Sequence, residues 1–322
     1  MKRKIEFRIP AEYAGLTAGE FLARRFPYHD RAAWEERLAM RRVRVNGEAV
    51  DAGRVLREGE ILEHMTDDVP EPPANLDAEV LHRDDDIAVV NKPPNLTVHP
   101  GGRFFHHTLW AVLKEKHGVE DPVFVNRLDR ETSGLVVIAL NDKAAAKCRK
   151  QFADRRVTKR YLALVEGRFV RECEADGVLV EDEAFGRHKR RLFQPKIACA
   201  EGQPGEPVST RFRPVKASGP VSEVEALPAT GRLHQIRATL SWMGFPVVGD
   251  KLYGVDPAMF VRFCTDTMTD VDRARLRMDR QALHAAGLRF RHPRTGKWLE
   301  FDLPLPRDMA SLMESLDAGN GG

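Results

Sequence analysis

The sequence predicts an α+β protein in two parts: a small N-terminal α/β module and a larger domain on a mixed, largely antiparallel sheet. Three observations lead there. A length of 322 residues suits about two domains at ~150 residues each. A proline-rich run, Val69-Pro70-Glu71-Pro72-Pro73-Ala74, breaks the chain early. Proline fixes its own φ and donates no backbone hydrogen bond, so the run reads as a stiff, extended linker. Beyond it, apolar strands come in clusters instead of regular strand–helix–strand alternation, which favours a mixed sheet. The expected boundaries are a module over 1–69, a linker over 70–76, the large domain over 77–316 and a flexible tail over 317–322.

In the module, Thr17-Ala18-Gly19-Glu20 is a capping box that starts a helix carrying Phe21 and Leu22, and Pro27 stops it. Asp30 caps a second helix with Trp34 and Leu38 one turn apart on one face. Residues 43–50 then alternate around Asn46-Gly47, the strongest short hairpin signal. Arg24, Arg25, Arg31, Arg37, Arg41, Arg42 and Arg44 are interspersed through this helix, helix, hairpin order.

In the larger domain, Ile87-Ala88-Val89-Val90 is a buried strand and Val123-Phe124-Val125 a short one. Leu135 to Leu140 is unbroken and apolar, as in a sheet covered on both faces. Lys143 to Phe152 reads as helix and Tyr161 to Val165 as strand. Leu288-Arg289-Phe290 and Trp298 to Phe301 flank a turn-rich loop, a hairpin.

Composition excludes several classes. At 42% hydrophobic and 31% charged the chain can bury a full core. Its longest stretch without Asp, Glu, Lys or Arg is Ala238–Gly249, far short of the roughly 18 apolar residues a membrane span requires. The N-terminus, charged at Lys2, Arg3, Lys4 and Glu6, holds no signal-peptide core. Cys148, Cys173, Cys199 and Cys264 show no metal-ligand spacing and read as reduced, mostly buried thiols of a cytoplasmic protein without a structural zinc. Net charge is only +3, but basic residues cluster: nine basic and two acidic from Lys147 to Arg171, five and none from Arg187 to Lys196. Such stripes suit a nucleic-acid-binding face, and they also suit solvated helix faces.

Between two apolar strands lies Asn126-Arg127-Leu128-Asp129-Arg130-Glu131-Thr132-Ser133-Gly134. Polar residues on a loop at the end of a rigid sheet are where sites form. Cations flanking Asp129 would keep it ionised, as a base or nucleophile must be. An Asp that merely caps the next turn and pairs with a neighbouring Arg fits the same spacing. Ser133 is not expected to be a nucleophile, because no histidine partner is implied for it. The run Asp84-Asp85-Asp86 reads as a solvated turn.

Five segments stand out in order: Asn91-Lys92-Pro93 with Val98-His99-Pro100-Gly101; the Asn126–Gly134 loop with Leu135-Val136-Val137; Lys159-Arg160-Tyr161-Leu162-Ala163; Thr230-Gly231-Arg232-Leu233-His234-Gln235-Ile236-Arg237; and Ala282-Leu283-His284-Ala285 continuing to Gly296. Together they resemble the RluA-type RNA pseudouridine synthases. The N-terminal pattern resembles the small RNA-binding module named after ribosomal protein S-four, over about residues 14–66. The chain departs from the family pattern at Asn126, in place of His, at Asn95, in place of Gly, and at Leu233, in place of Thr or Ser. Asn95 can still take a left-handed backbone. Residues 172–226 fit least well and are expected to be a variable insertion.

The resemblance implies a pseudouridine synthase fold and the isomerisation of uridine within RNA, ribosomal RNA foremost and transfer RNA second, by a monomer with no cofactor, metal or membrane. It implies Asp129 as the catalytic carboxylate, Arg237 as its partner and Tyr161 against the uracil. Arg127 would fill the gap left by the flipped nucleotide. Arg24, Arg25, Arg31, Arg41, Arg42 and Arg44 would grip RNA. Thr132, Ser133, Gly134, Arg232, His234, Gln235 and Leu283 would support the site, with His99, His234 and His284 as hydrogen-bonded scaffold. Two other classes remain: a non-catalytic RNA-binding or ribosome-assembly factor, and a nucleoside hydrolase, which would want paired carboxylates.

Overall fold

The structure, a computed structural model, describes residues 4–26, 29–65, 71–102, 104–188, 190–198, 204–256, 258–265 and 267–319. Pro27, Val69, Pro70, Cys199 and the last three residues of the expected tail lie outside them. The chain forms two compact units, Met1–Pro73 with His99–Ala111, and Ala74–Val98 with Val112–Gly322.

In the first unit β1 (Lys4–Arg8) is followed by α1 (Ala18–Arg25), α2 (Arg31–Ala39), β2 (Val43–Val45), β3 (Glu48–Ala49) and β4 (Ile61–Met65). The sheet order is β1-β4-β2-β3, all pairs antiparallel. The capping box forms as expected: the Glu20 amide donates to the Thr17 hydroxyl and the Thr17 amide to the Glu20 carboxylate. Asp30 accepts from the Ala33 amide at 2.8 Å. Asn46 and Gly47 both have positive φ, 50° and 84°, which the tight hairpin demands. Phe21, Leu22, Trp34, Leu38, Val43 and Leu62 close the core between helices and sheet. The buried Trp34 indole donates to the Phe26 carbonyl at 3.1 Å, so its polar handle is satisfied. Glu71 accepts from the amides of Phe105, His106 and His107, each at 2.8 Å, tying the 99–111 segment to the end of the proline run.

In the second unit and its connections, β5 (Glu79–Arg83) and β6 (Ile87–Lys92) precede α3 (Leu109–Glu115), β7 (Val123–Phe124), β8 (Ser133–Ala139), α4 (Asp142–Ala153) and β9 (Thr158–Glu166). Then come β10 (Cys173–Glu181), β11 (Arg191–Pro195), β12 (Glu206–Ser218), β13 (Val221–Pro228) and α5 (Gln235–Trp242). The chain ends with α6 (Ala258–Cys264), α7 (Asp270–Leu276), β14 (Leu283–Arg291), β15 (Trp298–Asp302) and α8 (Arg307–Ala318). The sheet runs β11-β10-β12-β13-β9-β14-β8-β6-β5, with β15 on β14 and β7 on β8. Every pair is antiparallel except β14 with β8, which touch through His284–Ser133 and Ala285–Gly134. Strand β8 is buried along its whole length, as its unbroken apolar run predicts.

That one parallel contact places the site. Parallel strands start at the same end of the sheet, so the loop before β8, carrying Asp129, lies beside the residues before β14. The two backbones approach too closely for a side chain: a Cβ on Gly134, at φ 113°, would collide with the Ala285 backbone.

Some expectations require correction. Residues 172–226 are not an insertion hung on the domain; they supply β10 to β13, and β13 pairs directly with β9 in the main sheet. Long antiparallel strands tolerate sequence drift at alternate exposed positions, which hides them from motif matching. Among the described cysteines Cys148 alone is buried; Cys173 is half-buried and Cys264 exposed. The acidic run is a turn, but only Asp85 is solvated. Asp84 accepts from the amides of Asp86 and Ile87 and meets the rings of His82 and His292, while Arg294 pairs with Asp85 and Asp86.

Gly134→Ala should cost about 3 kcal/mol or more, since it combines a positive φ with a backbone clash in a closed seam. Urea unfolding of the variant would measure it; a loss below about 1 kcal/mol would mean the seam relaxes.

Candidate active site

Asp129 sits four residues before β8 on a turn closed by the Thr132 amide to its own carbonyl, 3.2 Å. Its side chain is 26% exposed, so it is reachable from outside while its back is enclosed. Arg237 comes from the first turn of α5 and donates from Nη1 to Asp129 Oδ2 at 2.8 Å. His234 caps α5 from a left-handed backbone, φ 57°, which turns its ring back so that Nε2 lies 3.9 Å from Asp129 Oδ1. Gln281, just before β14, donates to Thr132 Oγ1 at 2.6 Å and stands 3.4 Å from Asp129 Oδ2.

The electrostatics follow from burial and pairing. Burial works to raise the Asp129 pKa, but the Arg237 charge and the hydrogen bonds from Arg237 and Gln281 outweigh it, holding the carboxyl below its usual range. Burial likewise opposes the charge on Arg237, and Asp250 and Asp129 more than restore it. Burial and the nearby Arg237 push His234 down to about 4, so this ring is neutral scaffold. Its Nδ1 meets the Tyr253 hydroxyl at 3.0 Å. Burial and the Asp129 charge push the Tyr161 phenol up to about 12, so it stays protonated near neutrality. Tyr161 stands on β9 opposite Ala285 and Ala226, inside the field of Asp129.

Several members of the site had no role assigned from the sequence. Asp250 is wholly buried and takes Arg237 bidentately, Nε to Oδ2 at 2.6 Å and Nη2 to Oδ1 at 2.9 Å. Gly249 before it has φ 74°, and a Cβ there would collide with the Arg280 carbonyl. Lys92, fully buried, donates to the carbonyls of Pro93, Leu96 and Arg130, pinning the Asp129 loop to the turn after β6. Burial pushes this ammonium down to about 7. Lys251 pairs with Glu131 at 3.0 Å, and Glu131 also accepts from the Gln281 amide. In sequence the one signal was an Asp-Lys pair placed directly after the long uncharged stretch that ends at Gly249.

The expected supporting and RNA-binding residues divide between the buried framework of the site and the surface. Thr132 holds Gln281. Gln235 accepts from the Thr230 hydroxyl and the Arg232 amide and donates to Ser209 and Thr210, stitching the loop before α5 to β12. Leu283 is buried core opposite Ala163. Arg232 is exposed and pairs with Glu206 at 3.4 Å. Arg127 is exposed, as are Arg24, Arg25, Arg31, Arg41, Arg42 and Arg44 of the first unit. Asn126 bonds the backbone of β8 at Leu135 and Val137, and Asn95 adopts φ 58°, so both departures are structurally accommodated. Ser133 requires a correction: its hydroxyl meets His284 Nδ1 at 2.9 Å, a histidine partner that strand pairing supplies across 151 residues. Both are buried and His284 Nε2 meets no partner, so the pair lacks the orienting carboxylate of a nucleophilic triad.

An ionised, half-sheltered carboxylate at the seam of a large mixed sheet, fixed by a buried arginine and felt by a protonated phenol, is an arrangement that can do acid–base or nucleophilic chemistry. The model of the family described as RNA pseudouridylate synthase matches residues 86–242. An uncharacterized RNA pseudouridine synthase, YlyB, of Bacillus subtilis (strain 168) is 34% identical over 285 residues, covering 84% of each chain. Ribosomal large subunit pseudouridine synthase D of Nitrosomonas europaea is 32% identical over 320 residues, 97% of this chain and 88% of that one. Among solved structures, human RNA pseudouridylate synthase domain containing 1 superposes with a TM-score of 0.57 at 27% identity, over 77% of this chain and 98% of that one. The chain belongs to the RNA pseudouridylate synthase family. It is an enzyme, an isomerase that makes pseudouridine from uridine in RNA. Among the described residues, no helix is long and apolar enough to cross a membrane.

His234 and His284, both held below the usual histidine range, set a pH dependence of stability. Burial, and then a nearby arginine, holds each at about 4 in the fold, Arg237 for His234 and Arg280 for His284. Unfolded, each titrates near 6.5, so between those values the unfolded chain binds more protons and stability falls as pH falls. At pH 5 the loss should be about 2 kcal/mol per histidine relative to pH 7. Urea unfolding at the two pH values would measure it, with His284→Gln showing the shallower dependence; equal slopes would refute the assignment.

Proposed function

We propose that this enzyme isomerises specific uridines of structured ribosomal RNA in the cytoplasm, as a monomer, with Asp129 as its catalytic carboxylate. The observation that carries the site assignment is the 2.8 Å bond from Arg237 to an Asp129 that remains partly exposed. The reaction breaks the bond from base nitrogen to ribose, turns the uracil and rejoins it through carbon. Nothing is oxidised and no group is imported, so no cofactor is needed. Asp129, ionised at neutral pH, can attack the base, attack the sugar or take a ribose proton. Arg237 keeps its charge and its aim. Tyr161, protonated at neutrality, would lie against the uracil and could hand over a proton. Arg127, exposed beside Asp129, would fill the space of the flipped nucleotide.

The ribosomal substrate rests on the name of the Nitrosomonas europaea relative and on the exposed arginines of the N-terminal module. A second binding module on the same chain raises the effective concentration of the site on a folded RNA. Hydrolysis of the glycosidic bond would want two available carboxylates. Asp250, on the other side of Arg237 from Asp129, is wholly buried and bonded at both oxygens.

Full-length enzyme with unmodified ribosomal RNA tritiated at carbon 5 of uracil should release tritium to water. Asp129→Asn should stay folded, bind RNA and release none, a drop of at least a thousandfold. Turnover by Asp129→Asn would remove Asp129 from the chemistry, and release from a transfer-RNA pool alone would replace the substrate. Arg42→Ala with Arg44→Ala should weaken RNA binding evenly across sequences and lower the salt slope by about one for each phosphate no longer neutralised. An unchanged slope in a filter-binding titration would take these two arginines out of the interface.

A further inference from the structure

The chain leaves the site after Lys251, folds into α6 and α7, and returns to it at Gln281. Both roots of this arm are fastened to one carboxylate, Glu131, two residues beyond Asp129. Lys251 Nζ donates to it at 3.0 and 3.2 Å, and the Gln281 amide at 3.0 Å. Lys251 also reaches the Asp279 carbonyl at 2.6 Å. The two helices are locked together. Arg262 of α6 forks onto Asp272 of α7 at 2.9 and 2.6 Å and holds Asp256 at 2.8 Å. Thr269 and Asp272 form a capping box, and Met259 and Leu276 are buried.

An arm held this firmly still leaves apolar surface outside. Val261 is 51% exposed and Phe263 37%. Lys251 Nζ stands over the Phe263 ring, 5.0 Å from its centre, so the cation that holds the Asp129 loop also touches the ring. Arg273 and Arg275 of α7 are exposed and form no ion pair among the described residues. An exposed ring accepts any base, because every base has a π face, and unpaired arginines take phosphates. The path from Asp129 through Glu131 and Lys251 to the ring spans at most about 20 Å, the length of about six stacked nucleotides. A protein partner would suit the valine alone. The ring and the two arginines, rooted in the catalytic loop, suit the RNA that must come there.

We propose that Phe263 is a specificity-determining residue that stacks on an unpaired base flanking the target uridine, with Arg273 and Arg275 as phosphate contacts. The proposal deepens the reading of the substrate and rests on Asp129 marking the place of the target.

Tritium release would be followed with whichever unmodified pool, ribosomal or transfer RNA, wild type acts on. Phe263→Leu keeps an apolar cover over Lys251 but has no π face. The RNA concentration for half-maximal single-turnover release should rise at least fivefold, with the maximal rate within twofold of wild type. Phe263→Tyr should restore the wild-type concentration dependence. The same RNA carrying 4-thiouridine, irradiated with the enzyme, should crosslink to the peptide that contains Phe263. An unchanged concentration dependence in Phe263→Leu, an equal defect in Phe263→Tyr, or crosslinks confined to other peptides would each overturn the proposal. Sedimentation tests the other occupant. Self-association of wild type that Phe263→Leu abolishes, with RNA dependence unchanged, would make this face a contact between copies and overturn the proposal. Turnover by Asp129→Asn would instead overturn the site assignment, and the comparison of Phe263 variants would still stand.

Discussion

The guanidinium of Arg237 is a permanent cation placed where almost no water reaches it, 8% exposed, and it must be satisfied on three of its edges at once. A buried charge stripped of one partner costs about 3–5 kcal/mol, so the parts that satisfy it are not free to move independently. Those parts come from two places: the loop before β8, with Asp129, and the turn after Gly249, with Asp250 and the Tyr253 ring. The fold brings them together because the cation would otherwise be an energetic fault in the middle of the domain. The same demand governs Asp129, since the interaction that keeps the carboxylate ionised also fixes where it points.

The sheet serves that constraint through its one parallel contact. Had β14 run antiparallel to β8, Gln281 and Asp129 would lie at opposite ends of the strands, roughly 20 Å apart for strands of ordinary length. The contact is short, two residue pairs, and depends on the missing side chain at Gly134. Lys92 reinforces it from the other side, its ammonium spread over three carbonyls and paired with no acid by hydrogen bond.

Much of this was legible in the residues. The caps at Thr17 and Asp30, the Asn46-Gly47 hairpin and the unbroken strand at 135–139 are local signals, and local physics decides them. Asp129 and Arg237 were visible as motif residues. Asp250 and Gln281 were not, because their roles come from partners 13 and 152 residues away, which no spacing rule records. Strands β10 to β13 were mistaken for an insertion because alternating, half-exposed strands carry their information in pairing. The Ser133–His284 bond was missed for the same reason, being a product of strand register alone.

The order in which these pieces leave the ribosome follows from the same topology. Translation proceeds from the N-terminus, and Asp129 emerges 108 residues before Arg237 and 152 before Gln281. Until the last of them arrives, Asp129 is an ordinary solvated acid on an unanchored loop, with neither aim nor shelter. A nascent chain, or one broken off before β14, therefore has the exposed arginines of its first unit without the residues that close around Asp129. The arrangement around Arg237 and Asp129 exists only once the chain has been made as far as β14.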